Sequence, residues 1–160
     1  MNAKIEQVEQ SQPDVGGPDY WDSMLKLHGT GTDALLQDLV AIVNRTRMEM
    51  SVTLLVSGGL VTGRLIDGKT YYEKFAELYT GALERGIPGV EVKEIKAGFI
   101  AKGAIYDEVD DRTRPYQMVH LDNARFQSAA GFVPAEGMLW RGRINAVSGF
   151  SLGEFAVTNL

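Results

Sequence analysis

The chain has 160 residues with a formal charge of −5 and no cysteine, the length of one domain with a single core and a short appendage. The absence of cysteine excludes a disulfide framework and thiolate metal sites, and no apolar run reaches the length of a membrane span. Only His28 and His120 supply imidazole, without metal-ligand spacing, so no metal or cofactor is expected.

The charge is uneven. Glu6, Glu9, Asp14, Asp19 and Asp22 against Lys4 place −4 within residues 1–22, leaving −1 for the remainder. A nearly neutral domain with an acidic arm lacks the basic footprint of a nucleic-acid binder and is compatible with self-association or docking on another protein. The N-terminus has no basic-then-apolar leader pattern, so the expected address is cytoplasmic.

Residues 1–28 mix Gln, Glu, Ser, Pro and Gly, and read as an acidic, disordered arm ahead of one domain over 29–160. Its adhesive segment is Tyr20, Trp21, Met24, Leu25 and Leu27, for which two readings stand: folding back onto the domain, which is favoured, or a partner-binding motif. Gly29 to Thr32 follows no strand and lacks the last glycine of a nucleotide loop. Thr32 instead reads as the N-cap of a helix through Met48, with Asp33 in its first turn and Leu35, Leu36, Leu39, Val40, Ile42 and Val43 at helical spacing. Asn44-Arg45-Thr46 has the form of a glycosylation sequon, idle in a chain without a leader.

Ser51 to Ile66 predicts two strands around a Gly58-Gly59 turn, with a bulge or bend at Gly63 and cover on both faces. Thr70 to Arg85 predicts a helix with a Thr70/Glu73 capping box, a stop at Gly86 and Pro88, and a buried face of Phe75, Leu78, Tyr79, Ala82 and Leu83. Tyr71 and Tyr72 would close over the hairpin. Residues 89–106 suit a helix loosely, weakened by Gly98 and Gly103. Those two glycines have phosphate-loop spacing but are followed by Ala104 and Ile105, which excludes that use. Asp107 to Arg114 reads as a solvated loop ending at Pro115.

Tyr116 to Ser128 alternates, with Val119, Leu121 and Phe126 inward and a bulge or bend at Asn123. Ala129 to Glu136 reads as a loop. Met138 to Gly153 reads as a terminal hairpin or bent strand pair in which Gly142, Gly149 and Gly153 bend the sheet. Phe155-Ala156-Val157 is a final edge. The fold class expected is α+β: a strongly bent antiparallel sheet or small partial β-barrel of about five strands, with an N-terminal helix and a helical insertion at about 70–106.

No catalytic constellation is legible, so the chain is read as a non-enzyme. His120 is the one candidate base, and an alternating strand favours a hydrogen-bonded structural histidine there. Arg141 and Arg143 share one strand face, opposite Trp140 and Gly142. Trp140, Arg141, Arg143 and Phe150 are the candidate partner-binding residues, although Trp140 and Phe150 have an equal claim to the core. The order of elements also resembles small Sm-like or SH3-like barrels. A module of that kind, binding RNA or another protein, is the alternative reading.

Two blocks carry a family resemblance. The first is Val52 to Gly58 and Val61-Thr62-Gly63, followed by Ile66, Lys69, Tyr71, Phe75, Glu77 and Tyr79. The second is His120-Leu121 and Asn123, then Trp140 to Ile144, then Val147, Gly149-Phe150 and Leu152-Gly153. In order and spacing they resemble the gas vesicle accessory protein U (GvpU-like) family over residues 52–153. The resemblance implies a soluble, non-catalytic accessory protein acting on vesicle clustering, shell surface or assembly. Its partners would be the gas vesicle shell or other gas vesicle proteins, and it would be cytoplasmic, vesicle-associated and capable of homo-oligomerisation. A polar, low-complexity tail that follows the second block in a member of the family corresponds here to seven residues. A clustering role carried by such a tail would be either lost here or moved to residues 1–28.

Overall fold

The computed structural model describes residues 33–107 and 115–155. The expectations for the arm at 1–28, the cap at Thr32, the loop at 108–114 and the edge at Ala156-Val157 lie outside them. The elements are α1 (Ala34–Thr46), β1 (Met50–Val56), β2 (Gly59–Leu65), α2 (Gly68–Gly86), α3 (Lys93–Lys102), β3 (Met118–Ser128), β4 (Gly131–Arg143) and β5 (Val147–Leu152). The strands form one open antiparallel sheet in the order β4-β3-β2-β1-β5. This is the expected α+β class, with an N-terminal helix and a helical insertion; the sheet does not close into a barrel.

Helix α1 starts at Asp33, whose carboxylate accepts the amide of Leu36 at 2.9 Å. That satisfies one of the orphan donors at the helix start. Leu36, Val40 and Val43 then pack on Val52, Leu54, Val61, Leu65, Val119 and Leu121 of the central strands, which form the core. Asn44 faces inward. Its oxygen accepts the Gly68 amide at 2.9 Å, joining the end of α1 to the start of α2. A buried, bonded amide offers no room for a glycan.

The hairpin turn is Ser57-Gly58, not Gly58-Gly59. Ser57 (φ 51°) and Gly58 (φ 80°) both take the left-handed conformation that a two-residue turn between twisted strands needs, and Gly59 already pairs with Val56. The β2–β3 register shifts at Gly63, where a methyl group would stand 2.9 Å from the Asp122 carbonyl oxygen. The β3–β4 register shifts around Asn123 (φ 53°). These irregularities bend the sheet.

The hairpin is covered on both faces, as its apolar pattern predicts. Core residues and α1 cover one. On the other, the chain after β5 turns at Gly153 (φ 96°) and crosses the strands. Thr53 donates to the Gly153 carbonyl at 2.9 Å, the Phe155 amide donates to Thr62 at 3.1 Å, and the two threonine hydroxyls stand 3.0 Å apart. Glu154 receives Ser51 from β1 and Arg125 from β3.

Three expectations are corrected. Met138 to Gly153 is not a hairpin: β4 pairs with β3 and β5 with β1, at opposite edges of the sheet. A flat sheet would hold those edges about 19 Å apart, whereas the turn Ile144–Ala146 joins them in three residues. Only a strongly bent sheet permits so short a link. Second, the loop expected at Ala129 to Glu136 shrinks to Ala129-Ala130. Gly131 onward is strand, with 134–137 bulging opposite Arg125. Pro134 is tolerated because β4 is an edge.

Third, α2 begins at Asp67, whose carboxylate accepts the Thr70 amide at 2.9 Å, so Thr70 is inside the helix rather than its cap. Its buried residues are Gly68, Tyr71, Ala76 and Thr80. Leu78, Tyr79 and Ala82 are exposed, and Phe75 and Leu83 half-buried. Tyr71 and Tyr72 pack toward β3 and β4 rather than over the hairpin. The loosely helical stretch after it becomes α3 and a 3-10 turn, Gly103–Tyr106. None of the ten residues of α3 is buried.

Candidate functional site

Two features converge beside α2: an apolar groove and an arginine-bearing strand. Along α2 the spacing of Tyr71, Lys74, Phe75, Leu78 and Tyr79 follows the helix repeat, so these side chains line one edge. Asp122, Asn123, Met138 and Leu139 form the opposite wall, and Arg64, Glu77 and Glu136 stand on the rim of a recess of about 870 Å³. Leu78 is 59% exposed and Tyr79 43%. The rings of Phe75 and Tyr79 each meet Phe99 of α3 edge-on at 5.0 Å, which holds the short helix against α2. Ile95 and Ile100 of α3 are also exposed.

One end of the groove is closed by charge. Asp122 receives Arg64 at 2.7 Å and Lys74 at 2.8 Å. Burial pushes its carboxyl up, but the hydrogen bond and charge of Lys74, the Asn123 amide and the charge of Arg64 together hold it below the usual range.

Beyond that end lies His120, 1% exposed. Tyr71 packs on it, tilted, at 4.5 Å and Tyr106 meets it edge-on at 5.5 Å. Among the described residues neither ring nitrogen has a hydrogen-bond partner, so His120 is structural but not hydrogen-bonded as expected. Burial first, then the Arg141 charge, lowers its pKa to about 3, against a smaller opposing effect of Asp67. The ring is neutral near pH 7 and too weak a base for proton abstraction there. Burial also raises the phenol pKa of Tyr71 and Tyr106, partly offset by Arg141.

The four candidate partner-binding residues do not form one patch. Trp140 is half-buried on the core face of β4 and meets Phe126 edge-on at 6.4 Å. Its indole lies over Gly142, where any side chain would collide with it. Phe150 packs against the core from β5, at the other edge of the sheet. Arg141 and Arg143 are exposed on the opposite face of β4 from Trp140. Arg141 donates to the Tyr72 hydroxyl at 3.1 Å, with its guanidinium 5.5 Å over that ring. Gly149 sits beside the β1–β5 register shift with open space around it.

Sequence reasoning passed over Leu78, Tyr79, Met138 and Leu139. A usable signal existed: α2 carries more large apolar residues than one buried stripe accommodates, and Met138 and Leu139 are consecutive, so one must leave the core.

A family model described as gas vesicle protein GvpU-like matches residues 33–155, most of the chain and nearly the whole of the described fold. No curated protein and no solved structure matches. With the resemblance of residues 52–153 and the match in agreement, the chain belongs to the GvpU-like family of gas vesicle proteins.

Proposed function

We propose that this protein acts without chemistry, by associating with the gas vesicle shell or with the proteins that assemble or cluster vesicles, in the cytoplasm where vesicles form. The contact surface is the α2 groove with the adjoining arginine face of β4. The observation that carries this reading is the placement of Leu78, Tyr79 and Met138, large apolar side chains left exposed together on the walls of one groove. Such patches mark interaction sites in proteins of this size. Membership of a gas vesicle family supplies the kind of partner. Arg141 and Arg143 flank the groove and supply orientation rather than bulk affinity.

The test is flotation with intact vesicles. Wild-type protein rises with the vesicle layer, and Leu78→Asp, at a position outside the core, stays in the infranatant while keeping its thermal transition. Wild-type protein that neither floats with vesicles nor binds their shell protein would sink the reading.

A further inference from the structure

The groove runs into a basic strand. Leu139, Arg141 and Arg143 are alternate residues of β4 and share one face. Leu139 lines the groove, and the two arginines that follow are exposed. An occupant that fits is apolar along one side and acidic at one end.

The chain contains such a segment. Tyr20, Trp21, Met24 and Leu25 recur at helical spacing, with Asp19 and Asp22 at the front. The segment precedes residue 33, where the family match and the described fold both begin. Twelve residues lie between Tyr20 and Asp33, a reach of up to about 45 Å. A domain of this size has a radius of gyration of only about 14 Å. Every face of the domain is therefore within range.

We infer that residues 19–27 dock in the α2 groove of their own chain, with Trp21 and Leu25 against Phe75, Leu78 and Met138, and Asp19 and Asp22 toward Arg141 and Arg143. The arm then holds in cis the surface that the proposed function offers to a partner in trans, and a partner must displace it. The regulatory role rests on the proposed function; the docking itself does not.

Hydrogen exchange on the full chain, without vesicles, tests the docking. Trp21→Glu is expected to speed amide exchange roughly tenfold over residues 71–79 and 137–143, leaving β1 and β2 unchanged. Arg141→Glu is expected to expose residues 71–79 in the same way. If Trp21→Glu also loosens β1 and β2, Met24→Glu is read by the same criterion. Unchanged exchange in the groove overturns the docking. So does groove protection that disappears on dilution of the wild-type protein, since the occupant is then a second copy. Failure of flotation alone leaves the docking standing, and failure of exchange leaves the vesicle contact standing.

Discussion

The imidazole of His120 packs, tilted, on the ring of Tyr71 with centroids 4.5 Å apart, and among the described residues no hydrogen bond reaches either ring nitrogen. The ring is accommodated as an aromatic, among Tyr71, Tyr106 and the nearby Arg141 guanidinium. Burial among these rings and the Arg141 charge oppose adding a proton, and Asp67 favours it by less.

This gives a pH dependence with a definite sign. The folded pKa is about 3 and the unfolded one about 6.5. Between those values the unfolded chain binds the proton and the folded chain does not. Stability from this group is fully present above pH 6.5 and falls, by up to about 1.4 kcal/mol per pH unit, as pH drops toward 3. Urea unfolding from pH 7 to about pH 5.5, where the carboxylates of the unfolded chain stay almost fully ionised, is expected to show this slope. His120→Leu is expected to flatten it, and equal slopes in both proteins would refute the assignment.

Gly63 and Gly149 offer a matched contrast. A methyl group on Gly63 meets main-chain atoms, the Asp122 oxygen at 2.9 Å and the Ala124 Cα at 3.0 Å, whereas one on Gly149 meets nothing within 4 Å. Main chain in a paired strand has little freedom to yield. Gly63→Ala is expected to cost about 1–3 kcal/mol, and Gly149→Ala less than about 0.5 kcal/mol. Denaturant midpoints of the two variants check both.

The crossing after β5 ties β1 and β3 together through one side chain. Glu154 accepts from Ser51 and Arg125, both on different strands, with Arg125 and Glu154 each about a quarter exposed. Glu154→Ala is expected to cost about 1 kcal/mol and to lower the thermal midpoint by a few degrees. An unchanged midpoint in a thermal scan would show that the crossing adds nothing to stability.

The core and the groove are expected to separate in function. Leu54 is fully buried, so Leu54→Ala should cost about 2–5 kcal/mol and reduce vesicle binding only as it reduces folded protein. Leu78→Asp should do the reverse, leaving stability within about 0.5 kcal/mol and removing flotation. Parallel denaturation and flotation of both variants distinguish the roles.

The amino-acid sequence by itself determined the features that depend on near neighbours. The α1 helix, the hairpin with its positive-φ turn, and the bulges at Gly63 and Asn123 follow from side-chain periodicity and local backbone preference. Even there the details moved by a residue or a turn, as from Thr70 to Asp67 at the start of α2. There the Asp67 carboxylate caps the helix and Thr70 lies inside it. Tertiary structure decided everything that depends on which distant segments meet. Met138 to Gly153 looks like a hairpin because two strand-formers flank a short link, yet β1 and β3 each offered a free edge, and sheet curvature let so short a link join opposite ends. The apolar face of α2 looks buried because periodicity marks apolar residues without saying what covers them. Only the packing of Tyr71 on His120, and the slightness of α3, left Leu78 and Tyr79 facing out. The candidate site lay in that second category: Arg141 and Arg143 were legible as a strand face, but the groove beside them exists only where α2 comes to rest against β3 and β4.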